Sequence, residues 1–403
     1  MKQTFFTRAR ERKDNLKYVC TVEQLKQHIE LDADEAERIK KIGAIHPMRI
    51  TEYYLSLIDK NDKNDPIRKM AVPWVEEFDE SGDYDTSGES ENTKVPGLQH
   101  KYDKTALVLV TSECATYCRF CFRKRLVGLP NGEVMQDFGQ CVRYIRSHPE
   151  INNVLLSGGD PLTLPTFKIE ALLEALSDIP HLEFIRIGSR VPVTFPDRIL
   201  GDERLLKLLN RHSLNRRRLY VVTHFNHPRE ITGKSAGAVE SLLKSKVVVN
   251  NQTVLLKGVN DNPNTLANLQ NRLAGIGVTP YYVFQCRPVK RVKRHFQVPL
   301  QEGYEIVESA KRLLAGPAKR FRYVMSHRTG KIEIMGVMDD AIYLRYHQAK
   351  DPRNTRRFFR RKLDGTAAWL DELQQFTYAD LPLFGVEDFL EGRRSLWSLS
   401  ERD

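Results

Sequence analysis

Short apolar runs alternate with amphipathic stretches along the middle of the chain, from about residue 95 to residue 345. Seven runs have the length and apolar content of buried strands: 106–111, 153–157, 184–188, 219–223, 253–256, 281–285 and 322–325. The stretches between them have helical periodicity: 134–147, 167–176, 205–209, 236–243, 264–273 and 302–314. This alternation predicts an α/β fold whose parallel sheet closes partly or fully into a barrel, with functional residues on the loops that follow the strands.

The segments on either side of this core have other patterns. Residues 1–94 are predicted to form a helical N-terminal region that ends in an acidic loop, 78–94. The loop is rich in Gly and Ser and is expected to be an exposed, solvated linker. Residues 346–403 form a C-terminal extension with a basic run at 353–362 and aromatic and Leu-rich pieces such as 384–390. The extension could cover the barrel mouth or form an oligomer contact, and residues 95–345 are the predicted core barrel.

The composition of the 403 residues is that of a globular protein, with 41% hydrophobic residues and a net charge of +11. No apolar run is long enough for a transmembrane helix, and the first residues lack the apolar segment of a secretory signal. We therefore expect a cytoplasmic protein without a membrane partner. The basic excess could bind a polyanion, but no RNA-binding signature accompanies it, so nucleic acid is not expected as a partner.

Three of the six cysteines lie within eight residues, directly after the first predicted strand. Cys114, Cys118 and Cys121 form the pattern C-x3-C-x2-C. Three thiolates on one loop can hold three irons of a cubic [4Fe–4S] cluster and leave the fourth iron open to another ligand. The alternatives are unrelated core cysteines or a zinc loop. Zinc normally takes four ligands in two spaced pairs, whereas the other three cysteines are scattered singly.

This loop, with Phe120 before its last cysteine, resembles that of the radical S-adenosylmethionine enzymes. The resemblance implies a partial (β/α)6 barrel in which S-adenosylmethionine binds the open iron and is cleaved to a 5′-deoxyadenosyl radical. It also implies that a Gly-Gly-Asp segment after the second strand holds the amino group of S-adenosylmethionine, although alone such a segment is an ordinary turn. The residues assigned to this cofactor are Gly158, Gly159, Asp160, His224 and Asn226.

Further segments resemble the lysine 2,3-aminomutase family over about residues 45 to 335. These segments are 55–59, 95–98, 123–125, 223–228, 253–261 and 280–282, and their combination in this order is specific. The resemblance implies an isomerase that moves the α-amino group of an amino acid to the β-carbon. It further implies that the enzyme uses pyridoxal 5′-phosphate beside the cluster and S-adenosylmethionine.

The same resemblance assigns residues to the substrate. Arg123 would grip the substrate carboxylate, for which a guanidinium fork is suited, although it could be a surface arginine in a basic cluster. Asp261 would meet the distal ammonium of a cationic, lysine-like substrate, whereas glutamate-specific relatives are expected to carry a positive residue at this position. Because the segment that follows Asp261 looks like a helix start, this residue could equally cap a loop.

For pyridoxal 5′-phosphate, the resemblance makes Lys331 the candidate for covalent attachment and assigns Lys101 and Tyr102 to the phosphate. The chain departs from the lysine enzymes at two places. Thr105 stands where they have a phosphate-binding arginine, and only Gly330 remains of the glycine run before the lysine. A second ammonium-binding aspartate is also missing there, with a serine or a close neighbour in its place. Lys331 could instead be an ordinary lysine at a strand edge.

The leading hypothesis is a radical aminomutase for a free, cationic α-amino acid, served by an electron donor such as flavodoxin or ferredoxin and assembled as a homo-oligomer. One alternative is a relative that has lost pyridoxal 5′-phosphate and performs another radical reaction. A second modifies a lysyl residue of translation elongation factor P, although such relatives are shorter at both ends. The third is an iron–sulfur electron carrier or RNA-binding module, against which the Gly-Gly-Asp segment and Arg123 count.

Overall fold

The fold is built on a twelve-stranded sheet in a computed structural model that describes residues 18–376. In this part of the chain the strands are β1 (Tyr18–Val19), β2 (Ile50–Thr51), β3 (Thr93–Val95), β4 (Leu98–Tyr102), β5 (Thr105–Thr111), β6 (Asn153–Gly158), β7 (Phe184–Gly188), β8 (Leu219–Thr223), β9 (Val248–Leu255), β10 (Thr279–Gln285), β11 (Arg322–His327), β12 (Gly330–Met338), β13 (Ala341–Ala349) and β14 (Phe358–Lys362). β1 and β2 pair only with each other, and β3 to β14 form the sheet in chain order.

Strands β5 to β11 are parallel, and each pairs with the next one in the chain. Because every crossover advances in the same direction, the helices collect on one side and the sheet curls into a barrel wall. The edge strands β3 and β14 do not pair with each other, so the barrel is open. The predicted α/β partial barrel is confirmed, and the seven predicted strands are its parallel strands, one more than the six that the family resemblance implies.

The helices connect and cover these strands. Those of the described residues are α1 (Val22–Leu25), α2 (Ala33–Ile45), α3 (Glu52–Leu55), α4 (Pro66–Ala71), α5 (Phe138–Arg146), α6 (Thr166–Ser177), α7 (Val191–Thr194), α8 (Asp197–Leu200), α9 (Glu203–His212), α10 (Gly233–Lys244), α11 (Pro263–Gly275), α12 (Lys293–Phe296) and α13 (Leu300–Arg312). α5 begins later than predicted because Asp137 caps it by accepting the N–H of Gly139 at 2.8 Å. β9 begins earlier than predicted because its first half alternates buried and half-buried positions instead of forming an apolar run.

The main core lies between the barrel wall and the outer helices. Leu205 and Leu209 of α9 are buried in the same core as Ile185 and Ile187 of β7. Each such side chain contributes about 1.5–3 kcal/mol by leaving water. A second core, which contains Trp369, joins β11 to β13 to helix α13. The outer face of the barrel wall is thus buried under the helices, and polar and charged residues lie on its inner face.

The N-terminal helices pack against the barrel. Tyr54 of α3 is fully buried and its hydroxyl donates to Glu230 at 2.6 Å. The carbonyl of Met70 in α4 accepts the N–H of Arg119, in the cysteine loop, at 2.9 Å. The N-terminal region therefore supports the loop that carries the cysteines.

The prediction that residues 78–94 form a solvated linker is wrong for residues 86–89 and Asn92, whereas residues 80–83 and 93–94 are exposed as expected. Ser87, Glu89 and Asn92 are buried, and Glu89 is only 6% exposed. The segment packs on the barrel because Glu89 accepts from Arg125 at 2.7 Å and the N–H of Asp83 donates to the carbonyl of Pro288 at 3.0 Å. The acidity that indicates a solvated loop is used here to pair with buried arginines.

Beyond the parallel strands, β12, β13 and β14 continue the sheet as antiparallel strands. β13 runs through the predicted domain boundary at residue 345, and part of the basic run forms β14. The predicted pieces at 384–390 and the first 17 residues lie outside the described residues. Within 18–376, the helices are too short or too polar to cross a membrane.

Candidate active site

A cavity of about 420 Å³ occupies the barrel interior and reaches the C-terminal ends of the parallel strands. The predicted site residues that line it are Lys101, Tyr102, Cys114, Cys118, Cys121, Arg123, Gly158, Gly159, Asp160, His224 and Lys331. Asn226 and Asp261 are not among the lining residues. The fold therefore brings residues from β4, β5, β6, β8 and β12 to one space.

The three cysteines line the cavity from the loop after β5. The Sγ of Cys118 accepts a hydrogen bond from Nη1 of Arg190 at 2.9 Å. Burial raises the pKa of Cys121 to about 11 and so disfavours its thiolate form. Bound iron would have to stabilise the thiolate in place of water. Within residues 18–376, no three His, Cys, Asp or Glu side chains converge closely enough to hold a single metal ion. A cluster requires only one sulfur at each iron.

A buried ion-pair cluster supports this loop. Glu77 accepts from Arg119 at 2.5 Å and from Lys124 at 2.6 Å. Burial alone would raise the pKa of Glu77, but the two cations outweigh it and lower the pKa to about 2. Arg119 and Lys124 lie on either side of Cys121 in the chain. Their ion pairs with Glu77 therefore fix the backbone at the last cysteine. The sequence analysis missed Glu77, which no local pattern distinguishes from its neighbours.

The Gly-Gly-Asp segment packs directly on the cysteine loop. The N–H groups of Gly159 and Asp160 donate to the carbonyls of Thr111 and Glu113 at 2.6 and 2.8 Å. A Cβ on Gly158 or Gly159 would collide with the same carbonyls, and Gly158 has a φ of +109°. The two glycines are therefore required for the close approach of two backbones at the cysteine loop.

The carboxylate of Asp160 is not free for an ammonium group. It accepts from the hydroxyl of Ser189 at 2.7 Å and from the N–H of Arg190 at 2.6 Å. Burial raises its pKa to about 6. Asp160 thus positions the loop after β7, and its predicted contact with the amino group of S-adenosylmethionine stays a prediction.

His224 and Asn226 have different surroundings. His224 lines the cavity edge-on to Phe120, with ring centroids 5.4 Å apart, and its buried Nε2 has no hydrogen-bond partner in the described part of the chain. Burial lowers its pKa to about 3, so the ring is neutral. Asn226 lies outside the cavity lining, and its Oδ1 accepts the N–H of Val254 at 2.8 Å, which ties β8 to β9. Its buried Nδ2 has no hydrogen-bond partner in the described part of the chain, so the predicted cofactor contact of Asn226 stays a prediction.

Lys331 of β12 is a half-buried amine that lines the cavity. Its Nζ lies 4.4 Å from the centroid of the Tyr282 ring. Burial, together with three nearby cations, lowers its pKa to about 7. The uncharged form of such an amine can attack a carbonyl. This environment differs from that of an ordinary lysine at a strand edge.

Lys101 closes one side of the cavity. Its Nζ donates to the carbonyl of His327 at 2.7 Å and to that of Ser87 at 3.2 Å. β4 thereby meets β11 across the opening of the barrel. Burial lowers the pKa of Lys101 to about 7, and Tyr102 lines the cavity beside it.

Arg186 was missed by the sequence analysis. It projects from β7 into the cavity, and its Nε donates to Oδ1 of Asn153 at 2.9 Å. Nδ2 of Asn153 donates to Thr105 at 3.4 Å. A guanidinium therefore lies close to the position where Thr105 replaces an arginine of the lysine enzymes. A single charge inside the apolar run Phe184–Gly188 was the available signal.

Arg123 pairs with Glu89. Its Nη2 donates to Oε1 of Glu89 at 2.8 Å and its Nε to the same oxygen at 3.1 Å. Nη1 donates to the hydroxyl of Ser157 at 2.9 Å. One edge of the guanidinium thus binds a protein carboxylate, and the Nη1 edge remains for a ligand carboxylate.

Asp261 does not take part in the cavity. Its Oδ2 accepts the N–H of Gly258 at 2.9 Å, in the loop after β9. This carboxylate caps the loop, as the sequence also allowed, and its contact with a substrate ammonium stays a prediction.

Comparison with known proteins identifies the family. Residues 108–269 match the Radical SAM superfamily. The chain is 46% identical to a protein of Aquifex aeolicus assigned as an L-lysine 2,3-aminomutase, over 89% of this chain and 95% of that protein. It is 40% identical to the L-lysine 2,3-aminomutase of Clostridium subterminale, over 72% and 68% of the two chains. It is 38% identical to the glutamate 2,3-aminomutase of Clostridioides difficile, over 74% and 70%.

These relatives define the chemistry. The superfamily implies a [4Fe–4S] cluster and S-adenosylmethionine, and the lysine 2,3-aminomutases use pyridoxal 5′-phosphate. The reaction class is an isomerisation in which an amino group migrates by a radical mechanism. On this similarity, and with the cysteine loop and Lys331 in one cavity, the chain belongs to the lysine 2,3-aminomutase family of radical S-adenosylmethionine enzymes.

Proposed function

We propose that this chain moves the α-amino group of a free amino acid to the β-carbon. The observation that carries the proposal is a single cavity lined both by the three loop cysteines and by Lys331. Hydrogen removal and nitrogen migration occur on the same substrate, so the groups that serve them must reach the same space.

The loop cysteines would hold the cluster. Cys114, Cys118 and Cys121 supply three thiolates, which leaves one iron for S-adenosylmethionine. The hydroxyl of Thr223 and Nε2 of His224 are unpaired within the described residues and offer this cofactor hydrogen-bond partners. When bound, the cluster and S-adenosylmethionine supply the carbon-centred radical that removes a hydrogen atom from the substrate.

Four residues would hold pyridoxal 5′-phosphate. Lys331 offers an amine for covalent attachment, and Lys101, Tyr102 and Arg186 offer two cations and a hydroxyl for the phosphate. Arg186 supplies the charge that Thr105 lacks. When bound, the pyridine ring delocalises the unpaired electron while the nitrogen migrates. With a pKa of about 7, Lys331 needs little help to lose its proton at neutral pH.

Arg123 would orient the substrate through its α-carboxylate. Glu89 and Ser157 fix the plane of the guanidinium, so that its Nη1 edge is held in place before the substrate arrives. Such positioning keeps the β-hydrogen of the substrate close to the radical source.

Radical enzymes of this superfamily act on small molecules and require an electron donor. We propose flavodoxin or ferredoxin as that donor, in a reducing cytoplasm that keeps thiols free for iron.

We also propose a homo-oligomer. Met338 and Phe358, in the antiparallel extension, are 58% and 55% exposed, which supports a contact there between copies. Light scattering of the purified protein tests the oligomer.

The decisive experiment is an anaerobic incubation of the reconstituted, reduced protein with S-adenosylmethionine and a panel of free amino acids. Chromatography then resolves isomers of unchanged mass from each substrate. We expect a β-amino isomer of at least one amino acid. Formation of 5′-deoxyadenosine without any isomer would overturn the aminomutase assignment and favour the relative that lacks pyridoxal 5′-phosphate.

The Lys331→Ala variant tests the cofactor site separately. We expect it to lose the violet absorbance of bound pyridoxal 5′-phosphate and to retain the broad absorbance of the cluster. Lys244→Ala on the exposed end of α10 is the matched control, because it removes a lysine far from the cavity lining. If both variants keep the violet absorbance, Lys331 is not the attachment site.

A further inference from the structure

We infer that the side chain of the substrate is anionic, so that the enzyme selects an acidic amino acid over lysine. This inference rests on the proposed function and adds the substrate class to it. It reverses the expectation of a cationic substrate, which depended on Asp261. Sequence identity does not decide the matter, since the chain is 40% identical to a lysine enzyme and 38% identical to a glutamate enzyme.

The carboxylates of the cavity are already in use. Among the described residues that line it, only Glu89 and Asp160 are acidic. Glu89 accepts from Arg123 at 2.8 Å and from Arg125 at 2.7 Å. Asp160 accepts from Ser189 and from the backbone of the loop after β7. A lysine side chain in this cavity would find no free carboxylate for its ammonium group.

The cations of the cavity are in excess. Arg190 pairs with Glu230 at 2.5 Å, and Arg123 pairs with Glu89. The four other cationic lining residues have no ion pair with a carboxylate within residues 18–376, and they are Lys101, Arg186, Arg287 and Lys331. All four are half-buried, and a positive charge that is partly removed from water without a partner is costly, so an anionic ligand is favoured there.

Pyridoxal 5′-phosphate accounts for three of these four cations. Its phosphate would neutralise Lys101 and Arg186, and its attachment would use the amine of Lys331. Arg287 is then the remaining cation. Glu89 lies near enough to act on it electrostatically but is already paired with Arg123 and Arg125, so a substrate anion is the further counter-charge that the site can take. This division assigns Arg287 to the side chain of the substrate, as Arg123 is assigned to its α-carboxylate.

Arg287 is arranged as an anion site. Its Nη1 donates to the hydroxyl of Ser87 at 2.8 Å and its Nη2 to that of Ser326 at 3.0 Å. Both hydroxyls accept from the guanidinium, so their own protons can point to a ligand carboxylate. The guanidinium of Arg287 lies 4.2 Å from the centroid of the Phe122 ring, and that of Arg123 lies 4.6 Å from the same centroid. The two guanidinium groups thus share one aromatic neighbour in the cavity, which supports the assignment of one to each carboxylate of an acidic amino acid.

The experiment compares L-glutamate and L-aspartate with L-lysine and with L-norleucine, an uncharged analogue. Two readouts are taken: retention of each labelled amino acid by the unreduced holoenzyme in equilibrium dialysis, and formation of the β-isomer after reduction. We expect glutamate or aspartate to exceed lysine roughly a thousandfold in kcat/KM, because placing like charges together in a binding site costs several kcal/mol. The same order is expected in retention.

The two readouts separate this inference from the proposed function. Tight retention of an acidic amino acid without any isomer would uphold the substrate class and overturn the reaction. Isomerisation of lysine or norleucine in preference to both acidic amino acids would uphold the reaction and overturn the substrate class. Retention of none of the acidic amino acids would overturn the substrate class as well.

The Arg287→Asp variant tests the assigned residue. We expect its retention of acidic amino acids to fall by at least about a hundredfold and its retention of lysine to rise. Lys290→Asp makes the same charge change three residues further on, outside the cavity lining, and is expected to behave as the unmodified protein. If Arg287→Asp fails to assemble a cluster, Arg287→Gln replaces it, with the acidic preference expected to vanish without a gain for lysine. An unchanged preference in either assembled variant would overturn the assignment.

Discussion

The cavity has two parts that are built in different ways. The cysteine side consists of Cys114, Cys118 and Cys121 on one loop of eight residues, and the charges around it are paired within the protein. The lysine side consists of Lys101, Tyr102, Arg186 and Lys331, which come from β4, β7 and β12 and whose cations have no carboxylate partners among the described residues. The charged residues around the cysteine side are thus paired with one another, whereas the cations of the lysine side need anionic ligands as partners.

This difference has a physical reason. A cluster of thiolate-bound irons needs rigid sulfur positions, which the pairs Arg119–Glu77 and Arg190–Glu230 support from the surrounding structure. A phosphate cofactor and an amino acid bring their own negative charge, so carboxylates in the protein would compete with them. The distribution of paired and unpaired charges thus separates the supporting structure from the ligand-binding surface.

The largest effect is expected from Cys118→Ser, which should abolish the cluster absorbance and the cleavage of S-adenosylmethionine, because one of three thiolates is lost. The violet absorbance of bound pyridoxal 5′-phosphate should remain, since the lysine side does not depend on iron. Cys20→Ser, at an exposed cysteine, is the control and should retain both signals. Loss of both signals in Cys118→Ser would show that the two sides do not assemble independently.

The next effect is on stability. Glu77→Gln leaves Arg119 and Lys124 buried without their carboxylate, and we expect the free energy of unfolding in urea to fall by about 3–5 kcal/mol. Glu203→Gln, in an exposed pair on α9, should cost no more than about 0.5 kcal/mol. Equal losses in the two variants would contradict the idea that paired charges support the cysteine side.

A smaller effect is expected on the lysine side. Arg186→Gln should weaken the binding of pyridoxal 5′-phosphate about 10- to 100-fold, because one charge-assisted contact with the phosphate is lost. Titration of the apoprotein, followed by violet absorbance, measures the change. Pyridoxal, which lacks the phosphate, should bind the variant and the parent equally. Arg204→Gln, on the exposed face of α9, serves as the control. Equal weakening with pyridoxal would assign Arg186 to another part of the cofactor.

The smallest effect is a pH dependence. The lowered pKa of Lys331 means that its amine is mostly neutral above about pH 7. The rate of attachment of pyridoxal 5′-phosphate should therefore rise about tenfold per pH unit below 7 and level off above it. An ordinary lysine, with a pKa of about 10.4, would keep gaining rate up to that pH. Stopped-flow mixing at constant ionic strength distinguishes the two profiles.

The same contrast explains what could be predicted from the sequence. The cysteine loop and the parallel strands follow from local signals, namely the spacing of Cys114, Cys118 and Cys121 and the apolar runs. Lys331 was predicted from its resemblance to a family segment, and its place in the cavity with Lys101 supports that interpretation. The division into domains at residues 95 and 345 stays a prediction.

Other parts of the site could not be predicted, because their meaning depends on contacts across the fold. Glu89 lies in a segment predicted to be solvated, and its pairing with Arg123 depends on a contact across the fold. Arg186 is a single charge within an apolar strand. Asn226 and Asp261 lie next to predicted site segments but satisfy backbone groups outside the cavity. Proximity in sequence to a motif did not distinguish ligand contacts from loop support.

The packing of residues 78–94 on the barrel has a consequence for the biosynthesis of the protein. The segment is held by contacts between distant parts of the chain, such as that of Asp83 with Pro288, which lies beyond β10. Contacts of such sequence separation form only after the later part of the chain has been synthesised and placed. Ser87, Glu89 and Asn92 line the same cavity as the three cysteines, so we expect this lining to stay incomplete until β10 and the loop after it have been synthesised.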